Sequence, residues 1–329
     1  SALDCVTTPA SDNCPDPSGG PQAVRVRVRR GATELWDLVV NRPRTSSGVN
    51  GSGVELRFVD YQGSRVLYQG HVPILNVKYA GDRCGPFRDW ANEEVCFNAT
   101  GTDPAGPGYR LCTSAPRTIL DTGTDRGNFR GVAFFHDGSA LRIVSELAAG
   151  WYRYITEWQL GDDGTIRPRF GFAAVTNPCT CLAHTHHAYW RLDLDAGVAS
   201  PNRVDEFDDG TGWTPIRRET RRRRDAARHR QWRVVNPATG HGYSLVPGAN
   251  DGTADAYGVG DLWVLRFRAG EIDDGVRLDT RADIDAFVNG ESVDGQDVVL
   301  WYAAHFLHDK AGPPPPSHIV GPELRPVVL

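Results

Sequence analysis

From Ala23 the chain reads AVRVRVRR, with valine and arginine alternating at every second position. Successive side chains of an extended strand point to opposite faces, so this pattern predicts a strand with one buried and one solvated side. The signature recurs down the chain. GVELRFVDYQGSRVLYQGHVPILNVKY reads as a strand, a Gly-containing hairpin, a second strand and a longer apolar strand ending near Tyr79. GVAFFHDGSALRIVSEL divides at Asp137-Gly138, a strong hairpin dipeptide. WYRYITEWQLGDDGTIRPRFGFAAV divides likewise at Gly161-Asp162-Asp163-Gly164, and HTHHAYWRLDLD, QWRVVNP, GHGYSLVP, DLWVLRFRA and QDVVLWYAAHFLH add further short apolar runs. Helical signals are confined to RRETRRRRDAARHR and TRADIDAFVNG, a turn or two each, and residues 80–118 read as long loops. The expected fold is all-β, a large antiparallel β-sandwich.

No linker separates two cores in the 329 residues, so residues 1–23 are expected to form an N-terminal arm and residues 24–329 a single domain. Apolar residues at 40% and charged residues at 23% exclude a disordered chain. No apolar run approaches the roughly 18–20 residues of a membrane-crossing helix, so no membrane partner is expected. A net charge of −5 argues against nucleic acid. The arginines between Arg217 and Arg230 are read as a solvated arm, or as an intersubunit contact against the acidic run at 205–209. Methionine is absent even at position 1, as expected of a processed chain. Seven cysteines, Cys5, Cys14, Cys84, Cys96, Cys112, Cys179 and Cys181, point to disulfides and a secreted or extracytoplasmic location, with at least one thiol left over. Cys179 and Cys181 are too close along an extended strand to bond each other readily, and are expected to reach separate loops.

His184-Thr185-His186 sits in a strand-like run. A period of two places His184 and His186 on one face, about 6–7 Å apart along the strand, with His187 on the other. Two imidazoles at that span can converge on one metal ion, and imidazole suits copper, zinc, iron or nickel. His305 and His308 lie on a second apolar strand at an odd spacing, so one of them is a candidate third ligand; spacing does not say which. Tyr152 and Tyr154 share a face of GWYRYITEW, with Trp151 and Arg153 on the other.

Taken together, HTHHAYWRLD, RQWRVVNPATGHGYSLVPG, QDVVLWYAAHFLH, SRVLYQGHVPILNVKY and WYRYITEWQLGDDGTI resemble, in the same order, segments of the catalytic domain of the copper-containing amine oxidases. The resemblance runs from about Gly53 to the C-terminus. It implies a β-supersandwich, a homodimer, and copper held by His184, His186 and His308, its register selecting His308 over His305. It also implies that Tyr152 is the tyrosine oxidised, with copper and dioxygen, to topaquinone. Tyr79 would hydrogen-bond the quinone, and Asp89 would be the catalytic carboxylate, with Asp82 and Glu93 as alternatives if the alignment slips. Asp193 and Asp297, with the Leu194 carbonyl, match a peripheral site for calcium. The partners implied are a small-molecule primary amine and dioxygen, and the products are an aldehyde, hydrogen peroxide and ammonia.

Three departures accompany the resemblance. Trp151 and Arg153 flank Tyr152 where the family has Asn and an acidic residue. DKAGPPPP follows His308 in place of an Arg-x-Glu-Asp pattern, and the resemblance covers the catalytic domain alone, with the loop from Tyr79 to Asp89 shortened. The departures bring in two other readings: a copper oxidase or hydroxylase with Tyr152 unmodified or differently modified, and a non-catalytic copper-binding protein.

Overall fold

The structure is a computed structural model and describes residues 14–48, 53–89, 93–175, 177–274, 281–308 and 319–327. Cys5, most of the predicted arm and the whole proline run after His308 lie outside these residues.

Two large sheets carry the fold. One runs in the order Ala23–Arg30, Thr33–Asn41, Glu55–Tyr61, Ser64–Tyr79, His184–Gly197, Val298–His308, Leu262–Arg266, Thr220–Arg222, with Phe87–Asp89 added beside Ser64–Tyr79. The second is built around Ala140–Ala149, Tyr152–Gly161 and Ile166–Ala174, and continues through the strands of the 203–246 region. Among the described residues all ladders are antiparallel except one, between Tyr109–Cys112 and Val132–His136. The main core lies between the sheets, with Leu56, Leu67, Trp190 and Leu300 from one meeting Ile143, Trp158, Phe170 and Trp232 from the other. A second apolar layer, including Tyr189, Trp263 and Trp301, covers the outer face of the first sheet. His184–Gly197 is therefore buried on both faces nearly throughout, in keeping with its continuous run of aromatic and aliphatic residues.

All three predicted hairpins form, at Gln62-Gly63, at Asp137-Gly138 and at residues 161–164. Elsewhere the structure corrects the sequence reading. The two strands expected between Gly63 and Tyr79 are one strand of 16 residues, Ser64–Tyr79. Gly70 belongs inside it because a Cβ there would stand 2.8 Å from the Trp158 ring, and Pro73 is passed at a register irregularity opposite Tyr189 and Arg191. The arginine run contains a short strand, Thr220–Arg222, and no helix. From the strand Arg222 reaches Glu206, and from the turn that follows Arg228 and Arg230 reach Asp208, so the acidic run is a partner within the same chain. TRADIDAFVNG yields one 3-10 turn, Ile284–Phe287. Residues 80–118 hold four short strands of two to four residues, too brief for periodicity to register.

Disulfides join Cys14 to Cys96 and Cys84 to Cys179. Cys181 is also disulfide-bonded, and Cys112 is a buried free thiol. Cys179 and Cys181 thus have separate partners. The Cys84–Cys179 bond ties the loop after Tyr79 to the segment entering His184.

Candidate metal centre

Strand register sets the centre. His184 stands directly opposite Tyr79 on one neighbouring strand and opposite His308 on the other. A row of three side chains therefore crosses three strands on the inner face of the sheet. His186, two residues on, shares that face, whereas His187 pairs in register with His305 on the outer face. The His305/His308 ambiguity is thus resolved by pairing: His308 joins the inner group and His305 does not.

The ring centroids of His184 lie 5.1 Å from those of His186 and 5.0 Å from those of His308. Rings bound through nitrogen at about 2.0–2.1 Å to one tetrahedral ion would have centroids about 5 Å apart. His184 Nδ1 donates to the Leu182 carbonyl at 2.6 Å, which leaves Nε2 facing inward. Burial lowers its pKa to about 4, so the ring is neutral near pH 7. The imidazoles of His184, His186 and His308 suit copper in donor type, and the two centroid spacings about His184 match those of a shared ion. Among the described residues the carboxylate cluster of Asp193, Asp195 and Asp297, rather than the histidines, is the group whose donor atoms already lie within 4.8 Å of one another.

Tyr152 opens its strand with its hydroxyl 2.5 Å from His184 Nε2 and its ring 4.5 Å from that of His186. Burial holds this phenol well above the ordinary tyrosine range, and the neighbouring Tyr79 hydroxyl adds to the shift. Tyr79 is fully buried, its ring 5.0 Å from His184, and its hydroxyl accepts from the Trp151 indole at 2.9 Å. Asp89 accepts from the Tyr154 hydroxyl, which also lies 3.2 Å from His186 Nδ1. Desolvation pushes the Asp89 carboxyl up to about 7, partly offset by that hydrogen bond. A cavity of about 300 Å³ reaches Tyr152, Asp89 and Tyr79 between walls of Phe87 and Trp151. Of the alternative carboxylates, Glu93 lies on the cavity lining but is exposed, and Asp82 is exposed and paired with Lys78 at 2.5 Å.

Two flanking residues divide. Arg153 faces away, as alternation predicts, and pairs with Asp125 at 2.9 and 3.0 Å. Trp151 does not follow the alternation: it lies in the turn before the strand begins and faces the cavity. Tyr154 was legible as a same-face neighbour of Tyr152, though nothing in the sequence foretold its bridge between Asp89 and His186. Phe172, stacked 3.8 Å from His186, carried no advance signal.

At the far end of the histidine strand, carboxylate oxygens of Asp193, Asp195 and Asp297 lie within 4.8 Å of one another. Burial is the first cause raising their pKa values, to about 8, 7 and 6. Neither Asp193 oxygen has a hydrogen-bond partner among the described residues. Leu194 sits between two register shifts with its side chain in the core. Asp195 was overlooked in the sequence, although it lies two residues from Asp193 and so shares its face.

No protein-family model and no curated protein matches this chain. Solved structures do share its architecture. An Aspergillus nidulans amine oxidase superposes with a TM-score of 0.59 at 16% identity, covering 89% of this chain and 50% of that one. A copper-containing benzylamine oxidase from Hansenula polymorpha gives 0.63 at 15% identity (98% and 63% covered), and a Pichia pastoris lysyl oxidase 0.63 at 14% (97% and 55%). The chain is thus an all-β protein with an oxidoreductase-like fold. More narrowly, that fold is amine-oxidase-like, and the chain spans about half to two-thirds of the length of these structures.

Proposed function

We propose that this chain is a secreted copper-dependent oxidase that deaminates a primary amine, releasing aldehyde, hydrogen peroxide and ammonia. The observation carrying the reading is the contact between the Tyr152 hydroxyl and His184 Nε2 at the end of a cavity that Asp89 also lines. The amine-oxidase-like fold supports it. In this reading His184, His186 and His308 hold copper, and Tyr152 is the precursor of topaquinone. Copper and the quinone would supply amine capture and electron transfer to dioxygen.

The chain's own groups account for the remaining steps. Phe87 and Trp151 enclose the apolar part of the substrate and exclude water. Asp89, with a pKa near neutrality, is suited to remove the α-proton and to hold it within reach of the Tyr154 hydroxyl. Tyr79, fixed by the Trp151 indole, orients the ring at position 152 through its hydroxyl. Asp193, Asp195 and Asp297 are proposed to bind calcium, whose preference for hard oxygen ligands matches three clustered carboxylates. The disulfides, and the lack among the described residues of any helix long and apolar enough to cross a membrane, are in keeping with secretion.

Trp151 on the cavity wall favours one other reading, a copper oxidase or hydroxylase in which Tyr152 stays a phenol; a copper-binding protein without activity is the third. Exposure of the metal-free protein to copper and air separates them. The expected result is a visible chromophore that reacts with phenylhydrazine, and a mass change at Tyr152. A copper-loaded, aerated sample with neither would exclude the quinone, and an amine screen without peroxide release would exclude the oxidase.

A further inference from the structure

The outer face of the histidine strand holds polar groups that the inner centre does not use. His187 and Asn76 stand directly opposite each other on adjacent strands, and Tyr189 follows on the same face. All three are fully buried. Among the described residues no hydrogen-bond partner reaches His187 Nε2, either amide atom of Asn76, or the Tyr189 hydroxyl. Burying a polar atom without a partner is costly, so four on one patch mark a place built to be filled.

The tautomers can be assigned from the acceptors. His305 Nε2 lies 2.8 Å from the Gly260 carbonyl and 3.3 Å from the Asp261 carboxylate. Both only accept, so that nitrogen carries the hydrogen. In the neutral ring His305 Nδ1 then accepts, and the 2.7 Å contact is donated by His187 Nδ1. His187 Nε2 is left with an outward lone pair, its ring oriented from behind as metal-binding imidazoles are. The Asp255 carboxylate lies 3.9 Å from that nitrogen on a half-exposed loop. That loop is seated closely, since a Cβ at Gly258 would lie 2.1 Å from His187 Nδ1. Burial disfavours ionisation of the Tyr189 hydroxyl, and the same carboxylate adds to that effect.

We propose that this patch is a second metal site, in which His187 Nε2 and the Asp255 carboxylate bind a divalent d-block cation of the zinc class, with Asn76 and Tyr189 holding its water. An imidazole lone pair, a carboxylate and an amide oxygen are all Lewis bases, which selects a cation over a neutral or anionic occupant; the imidazole selects a d-block ion over calcium. Ligands at about 2.0–2.2 Å from a tetrahedral ion stand about 3.3–3.5 Å apart, so a shift of about half an ångström at Asp255 closes the site.

The test is zinc binding by the full chain, stripped with a chelator and dialysed against zinc in saturating calcium, which keeps the carboxylate cluster occupied. Wild type is compared with Asp255→Ala and with His184→Ala/His186→Ala. Asp255→Ala is expected to lose one zinc, or to bind it at least ~10-fold more weakly, and the double variant to lose a different one. Cobalt(II) bound to the double variant should show a visible absorption band that adding Asp255→Ala abolishes. Should Asp255→Ala unfold, Asp255→Asn is read in the same way. Unchanged zinc number and affinity in a folded Asp255 variant would overturn the proposal and leave a chamber of ordered water only. A full zinc count in the double variant, with one lost in Asp255→Ala, would instead refute the inner copper centre and leave the outer site standing.

Discussion

The two ends of the histidine strand present opposite solutions to burying donor atoms. At its start, His184 is neutral, donates to Leu182 and lies against Tyr152, so both nitrogens of that ring have partners without any ion. At its far end, Asp193, Asp195 and Asp297 crowd together, and both Asp193 oxygens lack a partner among the described residues. His184 is held at little expense to the fold; the carboxylates carry an electrostatic cost that a cation or protons must relieve. Metal at the first end should govern chemistry, and metal at the second should govern stability.

The largest expected effect lies at the imidazole end. Asp89→Asn should leave copper content intact while reducing amine turnover by about 10²–10⁴-fold; comparable turnover in atomic-absorption-matched samples would remove Asp89 from the reaction. Next comes the covalent clamp on that end. Cys84→Ala/Cys179→Ala should lower unfolding free energy by about 2–5 kcal/mol in urea titrations, and it should weaken copper retention more than calcium retention. Equal loss of both ions would mean that the clamp serves the whole fold.

At the carboxylate end, calcium at about 100 times its dissociation constant should stabilise the chain by about 2.7 kcal/mol, read as a rise in Tm. Asp193→Asn should abolish that rise and, above about pH 8 where the wild-type carboxyl is ionised, raise the Tm of the calcium-free protein, because a like charge has gone. The smallest effect separates Asp89 by pH. Its folded pKa, about 7, lies above the unfolded value near 3.8, so its contribution to stability is full below about pH 4 and is lost as pH rises through 7. The metal-free wild type should therefore lose stability relative to Asp89→Asn over that interval, while turnover should rise through the same midpoint as the base ionises. A pH-independent difference between the two proteins would place the carboxyl in a more solvated setting.

Local alternation was enough to locate both halves of the inner centre, because each half lies within one strand. Tyr152 with Tyr154, and His184 with His186, share faces by the pleat alone. What joins the halves is the packing of one sheet on the other, and what adds His308 is register with a strand over a hundred residues away; no local pattern encodes either, hence His305 and His308 are equivalent until pairing separates them. Trp151 escaped because its place is set by a turn rather than a pleat. The unbroken Ser64–Tyr79 strand escaped because Gly70 and Pro73 look like breaks until Trp158 and the register irregularity are known. Asp195 was within reach of the period-two argument and was passed over in favour of the residues implied by resemblance.

The line of Tyr79, His184 and His308 across three strands has a consequence for assembly. Sliding any one of these strands by a single residue would turn its member of the row to the opposite side of the sheet. On the proposed reading, metal uptake would therefore act as a vernier on the fold: a chain zipped together one notch out would present an incomplete coordination shell, so only correctly aligned molecules would become loaded.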